Sequence, residues 1–315
     1  MECPSEMNNS PFNLAEPAAY EAWRERKLDG YPARIGELLV QLADSRQLQE
    51  ADRRQMLANC CKANMCLYQL PDGETGDKDL VRRLGREFGL ERLDRNLRAD
   101  EDSITSLRVK TAAEDVYYIP YTNRPLNWHT DGYYNTPEEQ VRGIVMHCAA
   151  ESASGGENLF LDQEIAYILL RDADSRFIEA LMRPDAMTIP ANVVDGRVIR
   201  PEQGGPVFSV YPHNGALHMR YTARTRSIRW RDDAITREAV GFLADLLAGN
   251  TAYVFRHRLH AGQGIICNNV LHKREACQDD AGAGRERLLF RARYHDRIRG
   301  TGPDCGLTGV TECCG

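Results

Sequence analysis

Short runs of apolar and β-branched residues follow one another between residues 104 and 294, and they constrain the fold more than any other feature of this 315-residue chain. Such runs, bounded by turn-forming residues, are typical of the strands of a β-sandwich or barrel. We expect strands at 104–109, 143–150, 158–162, 206–211, 216–221, 251–259, 264–272 and 287–294. The pattern predicts a mostly-β fold with helices packed outside it, but it does not distinguish a jelly roll from an open sheet.

Helical patterns interrupt this series and also precede it. We expect helices at 51–64, 78–88, 163–171, 175–182 and 233–248, with a short strand at 66–70. The last helix is the clearest, because its apolar residues recur at helical spacing behind an N-capping aspartate, Asp232 or Asp233. We therefore divide the chain into a mainly helical region (1–100), a β-rich core with a helical insertion (101–297) and a tail (298–315), which together form one structural domain.

The net charge of the chain argues against nucleic acid as a partner. Forty basic and forty-six acidic side chains give a net charge of −6, whereas nucleic-acid-binding proteins usually present a basic face. The first residues show no signal-peptide pattern, and no apolar run approaches the length of a bilayer span. We expect a cytoplasmic protein with a small-molecule substrate, no nucleic acid and no membrane, and we leave homo-oligomerisation open. The ten cysteines would then be reduced, most of them as small buried apolar side chains.

The segment NWHTDGYY (127–134) carries the strongest local chemical signal. His129 and Asp131 are two residues apart, so their side chains project to the same side of an extended backbone. An imidazole and a carboxylate that converge in this way are two of the three ligands of a 2-His-1-carboxylate metal site. The alternative is a His–Asp hydrogen bond at a turn, and the spacing alone does not decide between the two.

A third histidine, His272, ends the run 264–272, and an arginine-rich strand follows it. In that strand Arg287, Leu289, Arg291 and Arg293 share one face, while Leu288, Phe290 and Ala292 share the other. If the arginine face lines a cavity, its guanidinium groups need anionic partners, and a ligand carboxylate held by two parallel hydrogen bonds fits this need. If the apolar face lies inward, the segment is instead a solvated edge strand.

Taken together, these residues resemble the taurine dioxygenase family, which includes 2,4-dichlorophenoxyacetate dioxygenase and lies near γ-butyrobetaine hydroxylase. The resemblance runs from about residue 117 to 294, through NWHTD (127–131), GGENLFLD (155–162), NNVLH (268–272) and RLLFRA (287–292). It implies a double-stranded β-helix, the cupin-like jelly roll, with flanking helices. It also implies an enzyme that uses Fe(II), 2-oxoglutarate and dioxygen, and that releases succinate and CO₂.

The resemblance assigns roles to individual residues. His129, Asp131 and His272 would be the iron ligands, and the intact Asp131 favours hydroxylation over halogenation. Arg287 matches the arginine that binds the distal carboxylate of 2-oxoglutarate, and Arg291 matches a position that meets an anionic substrate in some members. Asn158 stands where relatives often carry a threonine that touches 2-oxoglutarate, and this departure puts its role in doubt.

The substrate is the least constrained part of the prediction. Residues near the metal motif or in the arginine-rich segment 218–230 that could contact it are Tyr118, Tyr121, Arg124, Asn127, Tyr133, and Arg220 or Arg224. We expect a small anionic or zwitterionic molecule, such as a carboxylate, a sulfonate or an amino acid. Two other functions stay open: a zinc hydrolase with the same ligands, which gives Arg287 no role, and a non-catalytic jelly-roll protein that binds a small molecule.

Overall fold

The computed structural model describes residues 10–95, 100–109, 119–224, 228–249 and 251–305. Its helices are α1 (Pro17–Leu28), α2 (Glu50–Ala63), α3 (Lys78–Glu87), α4 (Gln163–Ala173), α5 (Ser175–Leu181) and α6 (Ala234–Ala248). The five helices expected from the sequence are confirmed within two residues at each end, and α1 is an addition. The side chains of Asp77, Asp162, Asp174 and Asp233 accept a backbone N–H in the first turn of the helices that they precede. Each satisfies a donor that the helix itself leaves unpaired.

Nineteen strands lie in the described residues. They are β1 (Leu39–Gln41), β2 (Met65–Gln69), β3 (Thr105–Leu107), β4 (Leu126–His129), β5 (Gly143–Ala150), β6 (Ser154–Gly155), β7 (Asn158–Leu161), β8 (Met187–Ile189), β9 (Asn192–Val194), β10 (Arg197–Arg200), β11 (Gln203–Gly205), β12 (Phe208–Val210), β13 (Leu217–Met219), β14 (Arg229–Trp230), β15 (Phe255–His257), β16 (Gln263–Cys267), β17 (Leu271–Arg274), β18 (Cys277–Gln278) and β19 (Leu288–Tyr294).

Two sheets form the body of the protein. The larger has the order β1-β2-β16-β5-β19-β3 and the smaller has the order β15-β7-β17-β4. All of their neighbouring strands are antiparallel except the pair β1 and β2. The region before residue 100 thus supplies two strands of the larger sheet as well as helices.

The two sheets pack face to face. One buried cluster combines Leu107, Ile144 and Ile265 of the larger sheet with Phe160 and Phe255 of the smaller one. Apolar side chains on two inner faces form the core of a β-sandwich in this way. The expected double-stranded β-helix with flanking helices is therefore confirmed.

Helices cover the outer faces of both sheets. Met56 of α2 and Leu84 of α3 pack with Val145 of the larger sheet, whereas Ile165 of α4 and Leu243 of α6 belong to the cluster behind the smaller one. No helix in the described part of the chain combines the length and the apolar composition needed to cross a bilayer.

The orientation of β19, which the sequence left undecided, follows from these clusters. Phe290, Ala292 and Tyr294 pack outward against the cluster that contains α2 and α3, and Leu289 packs inward between the sheets. The arginines that alternate with the outward residues therefore face the space between the two sheets.

The run 264–272, expected as one strand, is two strands in different sheets. β16 ends at Cys267 in the larger sheet and β17 begins at Leu271 in the smaller one. Between them Asn269 has φ of 51°, a left-handed conformation that asparagine tolerates better than most residues. The chain changes sheets at this point, so His272 lies near the start of a strand and not at the end of one.

The cysteines fit the sequence expectation only in part. Five are buried free thiols: Cys60, Cys66, Cys148, Cys267 and Cys277. Cys61 of α2 and Cys305, however, form a disulfide with Cα atoms 5.7 Å apart, which corrects the expectation of reduced thiols for this pair. The start of the expected tail is thus attached to α2, and the terminal CCG lies outside the described residues.

Candidate metal centre and its cavity

Three potential ligands meet in the smaller sheet. His129 ends β4 and lies directly opposite His272 of β17 in the register of the two strands. Asp131 follows two residues later, and its Oδ1 lies 3.7 Å from Nε2 of His129. One ligand atom from each of the three side chains falls within 4.8 Å of the others, and the described residues contain no second group of this kind. The cross-strand pair therefore brings together residues that are 143 positions apart in the chain.

Both imidazoles are oriented by backbone carbonyls. Nδ1 of His129 lies 2.8 Å from the carbonyl oxygen of Asn127, and Nδ1 of His272 lies 2.9 Å from that of Val270. A carbonyl oxygen only accepts, so each Nδ1 carries the hydrogen and each Nε2 keeps its lone pair. A hydrogen-bonded Nδ1 is the usual arrangement for a histidine that binds a metal through Nε2.

Asp131 lies beyond the end of β4, so the extended backbone assumed for the His-x-Asp motif is wrong at this residue. Its position comes from Asn269, the residue at which the chain changes sheets. The Asn269 side chain accepts from the Asp131 N–H at 2.8 Å and donates to the Asp131 carbonyl at 2.9 Å and to the Val141 carbonyl at 2.6 Å. Asn269 belongs to the NNVLH segment, but residue spacing gives no sign of this supporting role.

The charge states of the group suit a divalent cation. Burial raises the pKa of the Asp131 carboxyl, but the positive charges of Arg291 and Arg293 and the contact with His129 together outweigh it, so the pKa lies well below its usual range. Burial and the neighbouring His129 lower the pKa of His272 to about 4. Oδ2 of Asp131 is buried and accepts no hydrogen bond from the described residues, although the Arg291 guanidinium lies within ion-pair distance. One carboxylate and two imidazoles, each with its Nδ1 held by a backbone carbonyl, match the donor set of a 2-His-1-carboxylate site.

A cavity opens between the sheets beside these ligands. Its wall is mostly apolar, with Leu107, Ile144, Met146, Phe160 and Leu289 among its members. The charged and amide side chains in the wall are Asp131, Asn158, Arg274, Arg287 and Arg291. Such a pocket, apolar with a few convergent polar groups, is typical of a small-molecule site.

Arg287 and Asn158, the two residues predicted to contact the cosubstrate, both line this cavity. Arg287 is buried, its Nη2 donates to the Pro120 carbonyl at 3.3 Å, and its Nε has no hydrogen-bond partner in the described part of the chain. Burial lowers the pKa of its guanidinium. Asn158 donates weakly to the Gly156 carbonyl at 3.5 Å. A desolvated guanidinium with spare donors fits an anionic ligand.

The strand β19 places two more arginines around Asp131. Nη1 of Arg291 lies 3.1 Å from each carboxylate oxygen of Asp131. Arg293 forms a buried ion pair with Asp94 and donates to the Tyr134 hydroxyl at 3.2 Å. Arg291 therefore faces both the candidate metal ligand and the cavity, whereas Arg293 supports the site from outside the cavity wall.

Arg274 is a wall residue that the sequence analysis did not identify. It lies two residues after His272 on β17 and donates to the carbonyls of Thr122 and Arg124 at 2.8 and 2.6 Å. Burial and the adjacent charge of Arg287 lower its pKa to about 10. The available signal was its spacing, since residues two apart on a strand project to the same side.

The expected substrate residues have different positions in the structure. Asn127 has an exposed side chain and contributes its carbonyl to His129. Tyr121 is buried in the cluster between the sheets and is not part of the cavity wall among the described residues. Tyr133 is half-buried and contacts Tyr134 edge to face at 5.2 Å. Tyr118 lies outside the described residues.

Arg220 has a structural role, which corrects its assignment to an anionic substrate. Its five N–H groups donate to backbone carbonyls, those of Tyr133, Met187, Gln203, Gly205 and Pro206. A guanidinium has five donors, so none is left for a ligand. Arg224, the other candidate in this segment, is half-buried and acts electrostatically on the Tyr133 hydroxyl.

The sequence of residues 29–293 matches the model of the family described as taurine catabolism dioxygenase TauD, TfdA family. The chain belongs to the TauD/TfdA family. One relative, a uridine-5'-phosphate dioxygenase from Amycolatopsis sp., is 30% identical over 182 residues, which are 55% of this chain and 62% of that protein. The matched segment thus spans less than two thirds of that relative's length.

Solved structures share the fold of this TauD/TfdA member at low sequence identity. A taurine dioxygenase from Burkholderia xenovorans superposes with a TM-score of 0.53 and 16% identity over 82% of this chain and 86% of its own. PvcB from Pseudomonas aeruginosa superposes with a TM-score of 0.54 and 18% sequence identity, over 78% of this chain and 81% of PvcB. A structure of AAD-2 with Mn(II) and N-oxalylglycine superposes with a TM-score of 0.54 and 14% sequence identity, over 83% of this chain and 95% of AAD-2.

Family membership decides between the functions that the sequence left open. TauD/TfdA proteins are Fe(II)- and 2-oxoglutarate-dependent dioxygenases, so the chain is a member of an enzyme family and not of a zinc hydrolase or a non-catalytic group. The residues present fit these cofactors, because a 2-His-1-carboxylate set lies beside a cavity with a desolvated arginine.

Proposed function

We propose that this chain is an Fe(II)- and 2-oxoglutarate-dependent dioxygenase that hydroxylates a small anionic or zwitterionic molecule. The observation that carries the substrate class is the excess of positive charge in the cavity wall. Family membership supports the reaction class, and the charges of the wall support the choice of substrate.

In this proposal His129, Asp131 and His272 hold the iron, and Arg287 binds the distal carboxylate of 2-oxoglutarate. Bound iron, 2-oxoglutarate and dioxygen supply the oxidation of a C–H bond, with release of succinate and CO₂. The chain contributes orientation: the carbonyls of Asn127 and Val270 fix the imidazoles. The apolar wall between the sheets excludes water from the reacting groups.

The net charge of the cavity wall favours an anionic substrate beside 2-oxoglutarate. The described wall contains three guanidinium groups and one carboxylate, a net charge of +2. Fe(II) raises this to +4, and the two carboxylates of 2-oxoglutarate return it to +2. A cationic substrate about 6 Å from one uncompensated charge would be repelled by about 3 kcal/mol at an effective dielectric constant of about 20. A carboxylate, sulfonate or phosphate group would instead be attracted.

Arg291 is the wall residue that we expect to meet that group, and Arg224 and Tyr133 are further candidates outside the cavity wall. Arg291 lines the cavity beside Asp131. Thr222, two residues before Arg224, forms an isolated β-bridge with His129, and the charge of Arg224 acts on the Tyr133 hydroxyl. The relative that acts on uridine 5'-phosphate makes a phosphate monoester a member of the class to be tested.

The test is substrate-dependent succinate release from the Fe(II)-loaded protein. The panel contains taurine, small carboxylates, amino acids and uridine 5'-phosphate, with choline as the matched cation without an acid group. We expect at least one anionic or zwitterionic compound to stimulate turnover and choline to have no effect. Stimulation by choline that persists in Arg291→Ala would refute the proposed substrate class.

A further inference from the structure

Two buried guanidinium groups lie side by side in the cavity wall. Arg274 and Arg287 are 6% and 5% exposed. Both donate to the same acceptor, the Pro120 carbonyl oxygen, from Nη1 of Arg274 at 3.4 Å and from Nη2 of Arg287 at 3.3 Å. The two donor nitrogens are therefore no more than 6.7 Å apart, the sum of these distances. Two like charges at this separation repel each other in a site removed from water.

Among the described residues neither guanidinium forms an ion pair with a carboxylate. In the described part of the chain no aspartate or glutamate oxygen lies within 4.0 Å of Arg274 or Arg287, whereas Arg291 and Arg293 pair with Asp131 and Asp94. Buried charges usually have a partner of opposite charge, because an unpaired buried charge loses its hydration and gains no attraction in exchange. The missing counter-charge is therefore expected from a ligand.

Both side chains keep donors for such a ligand. Within the described residues Arg274 uses three of its five N–H groups, on the carbonyls of Pro120, Thr122 and Arg124, and its Nε is buried without a partner. Arg287 uses one side-chain N–H on Pro120 among the described residues, and its Nε is likewise buried without a partner. Two N–H groups of Arg274 and four of Arg287 thus have no acceptor there.

Arg274 also holds a segment that leads to the metal ligands. The carbonyls that it binds belong to residues 120–124, directly before β4, which ends at His129. The Pro120 contact is shared with Arg287. An anion that draws both guanidinium groups together would act on this segment as well.

We propose that Arg274 is a second guanidinium that binds the distal carboxylate of 2-oxoglutarate together with Arg287. The inference rests on the proposed function of this cavity. It makes Arg274 a cosubstrate-binding residue that also positions the segment before β4, and it explains why a buried cation stands two residues from His272.

The test compares two 2-oxo acids on the Mn(II)-loaded protein by calorimetry. 2-Oxoglutarate carries the distal carboxylate, and 2-oxopentanoate has a methyl group in its place. We expect Arg274→Gln to weaken 2-oxoglutarate binding by about 10- to 100-fold, the effect of losing a charge-assisted hydrogen bond. The Kd of 2-oxopentanoate should change by less than about threefold. Arg256→Gln, an exposed residue of β15, is the matched control and should change neither Kd.

A purely structural role for Arg274 predicts a different result. Loss of the carbonyl contacts alone would weaken both acids by the same factor, and that outcome would overturn the inference. If Arg274→Gln does not fold, Arg274→Lys replaces it. Lysine keeps the charge but lacks the planar fork, so the ratio of the two Kd values should still shift, by a smaller factor. An unchanged ratio in the lysine variant also overturns the inference.

Arg287→Gln separates this inference from the proposed function. If 2-oxoglutarate binds the wild-type protein and binding depends on Arg287 but not on Arg274, only the second-guanidinium assignment fails. If the wild-type protein does not bind 2-oxoglutarate, or if Arg287→Gln leaves its Kd unchanged, the proposed function of the cavity fails first.

Discussion

Replacing Asn269 should weaken metal binding although this residue is not a ligand. Its side chain makes three buried hydrogen bonds, two with the backbone of Asp131 and one with the carbonyl of Val141. They join the crossover between β16 and β17 to the turn that carries Asp131. Without them the carboxylate would lose the support that fixes its distance from His129 and His272.

The magnitude follows from these contacts. Three hydrogen bonds contribute about 3 kcal/mol in total to the free energy of unfolding, at about 1 kcal/mol each. Asn269 has φ of 51°, and alanine in that region costs about 1 kcal/mol more. Asn269→Ala should therefore lose about 4 kcal/mol. Asn269→Gly removes the same bonds without the backbone strain, so we expect a loss of about 3 kcal/mol.

Metal affinity is the decisive measurement. Loss of a residue that orients a ligand typically weakens binding by about 10- to 100-fold, so the Kd of Mn(II) for Asn269→Gly should rise by that factor. Asn64→Gly is the matched control, since Asn64 is also a buried asparagine with positive φ, at the end of α2. It should lower stability in urea titrations and leave the Kd unchanged. Wild-type Mn(II) affinity in Asn269→Gly would refute the argument.

Three further predictions concern the site. Replacing any one of the three ligand residues with alanine should abolish stoichiometric metal binding with a circular dichroism spectrum close to wild type, and full metal content in all three variants would contradict the assignment. Arg287→Ala should raise the KM for 2-oxoglutarate by about 10- to 100-fold, with partial rescue in Arg287→Lys; Arg291→Ala should instead raise the KM of the substrate. Arg220→Ala should lower the free energy of unfolding by about 3 kcal/mol or more while the substrate KM of the folded protein stays the same, and a selective rise in that KM would restore Arg220 as a substrate residue.

Elements with a strong local pattern could be predicted from the sequence. The helices α2 to α6 and strands such as β5 and β19 have regular spacing, clear caps or β-branched runs. The inward direction of the β19 arginines could not be predicted, because both of its faces carry residues able to pack or to bind. Only the clusters on either side of the larger sheet decide it.

The metal-ligand residues of the site could be predicted from the sequence, but the residues that hold those ligands in position could not. His129, Asp131 and His272 do meet, but Asn269 and Arg274 act through contacts with backbone carbonyls far away in sequence. Such contacts have no signature in residue spacing. Arg220 is the converse case, since an arginine near a predicted site is read as a ligand contact until its acceptors are known.

The hairpin of β9 and β10 was not among the expected strands, although its turn has a clear sequence signature. Its turn is Asp195–Gly196, with φ of 49° and 75°, and an Asp-Gly pair between apolar runs is a strong indication of a two-residue hairpin. Val193 and Val198 are exposed on it, so these strands do not follow the usual alternation of buried apolar and exposed polar residues.

The direct pairing of β4 with β17 has a consequence for how this protein matures. Its two histidines are 143 residues apart and become neighbours only when the smaller sheet has closed. Contacts of such long sequence separation form late and slowly during folding. A nascent or partly folded chain would offer a metal only the local His129–Asp131 pair. Tight metal uptake would therefore report completed folding, and the metal would in turn stabilise the finished protein over its unfolded forms.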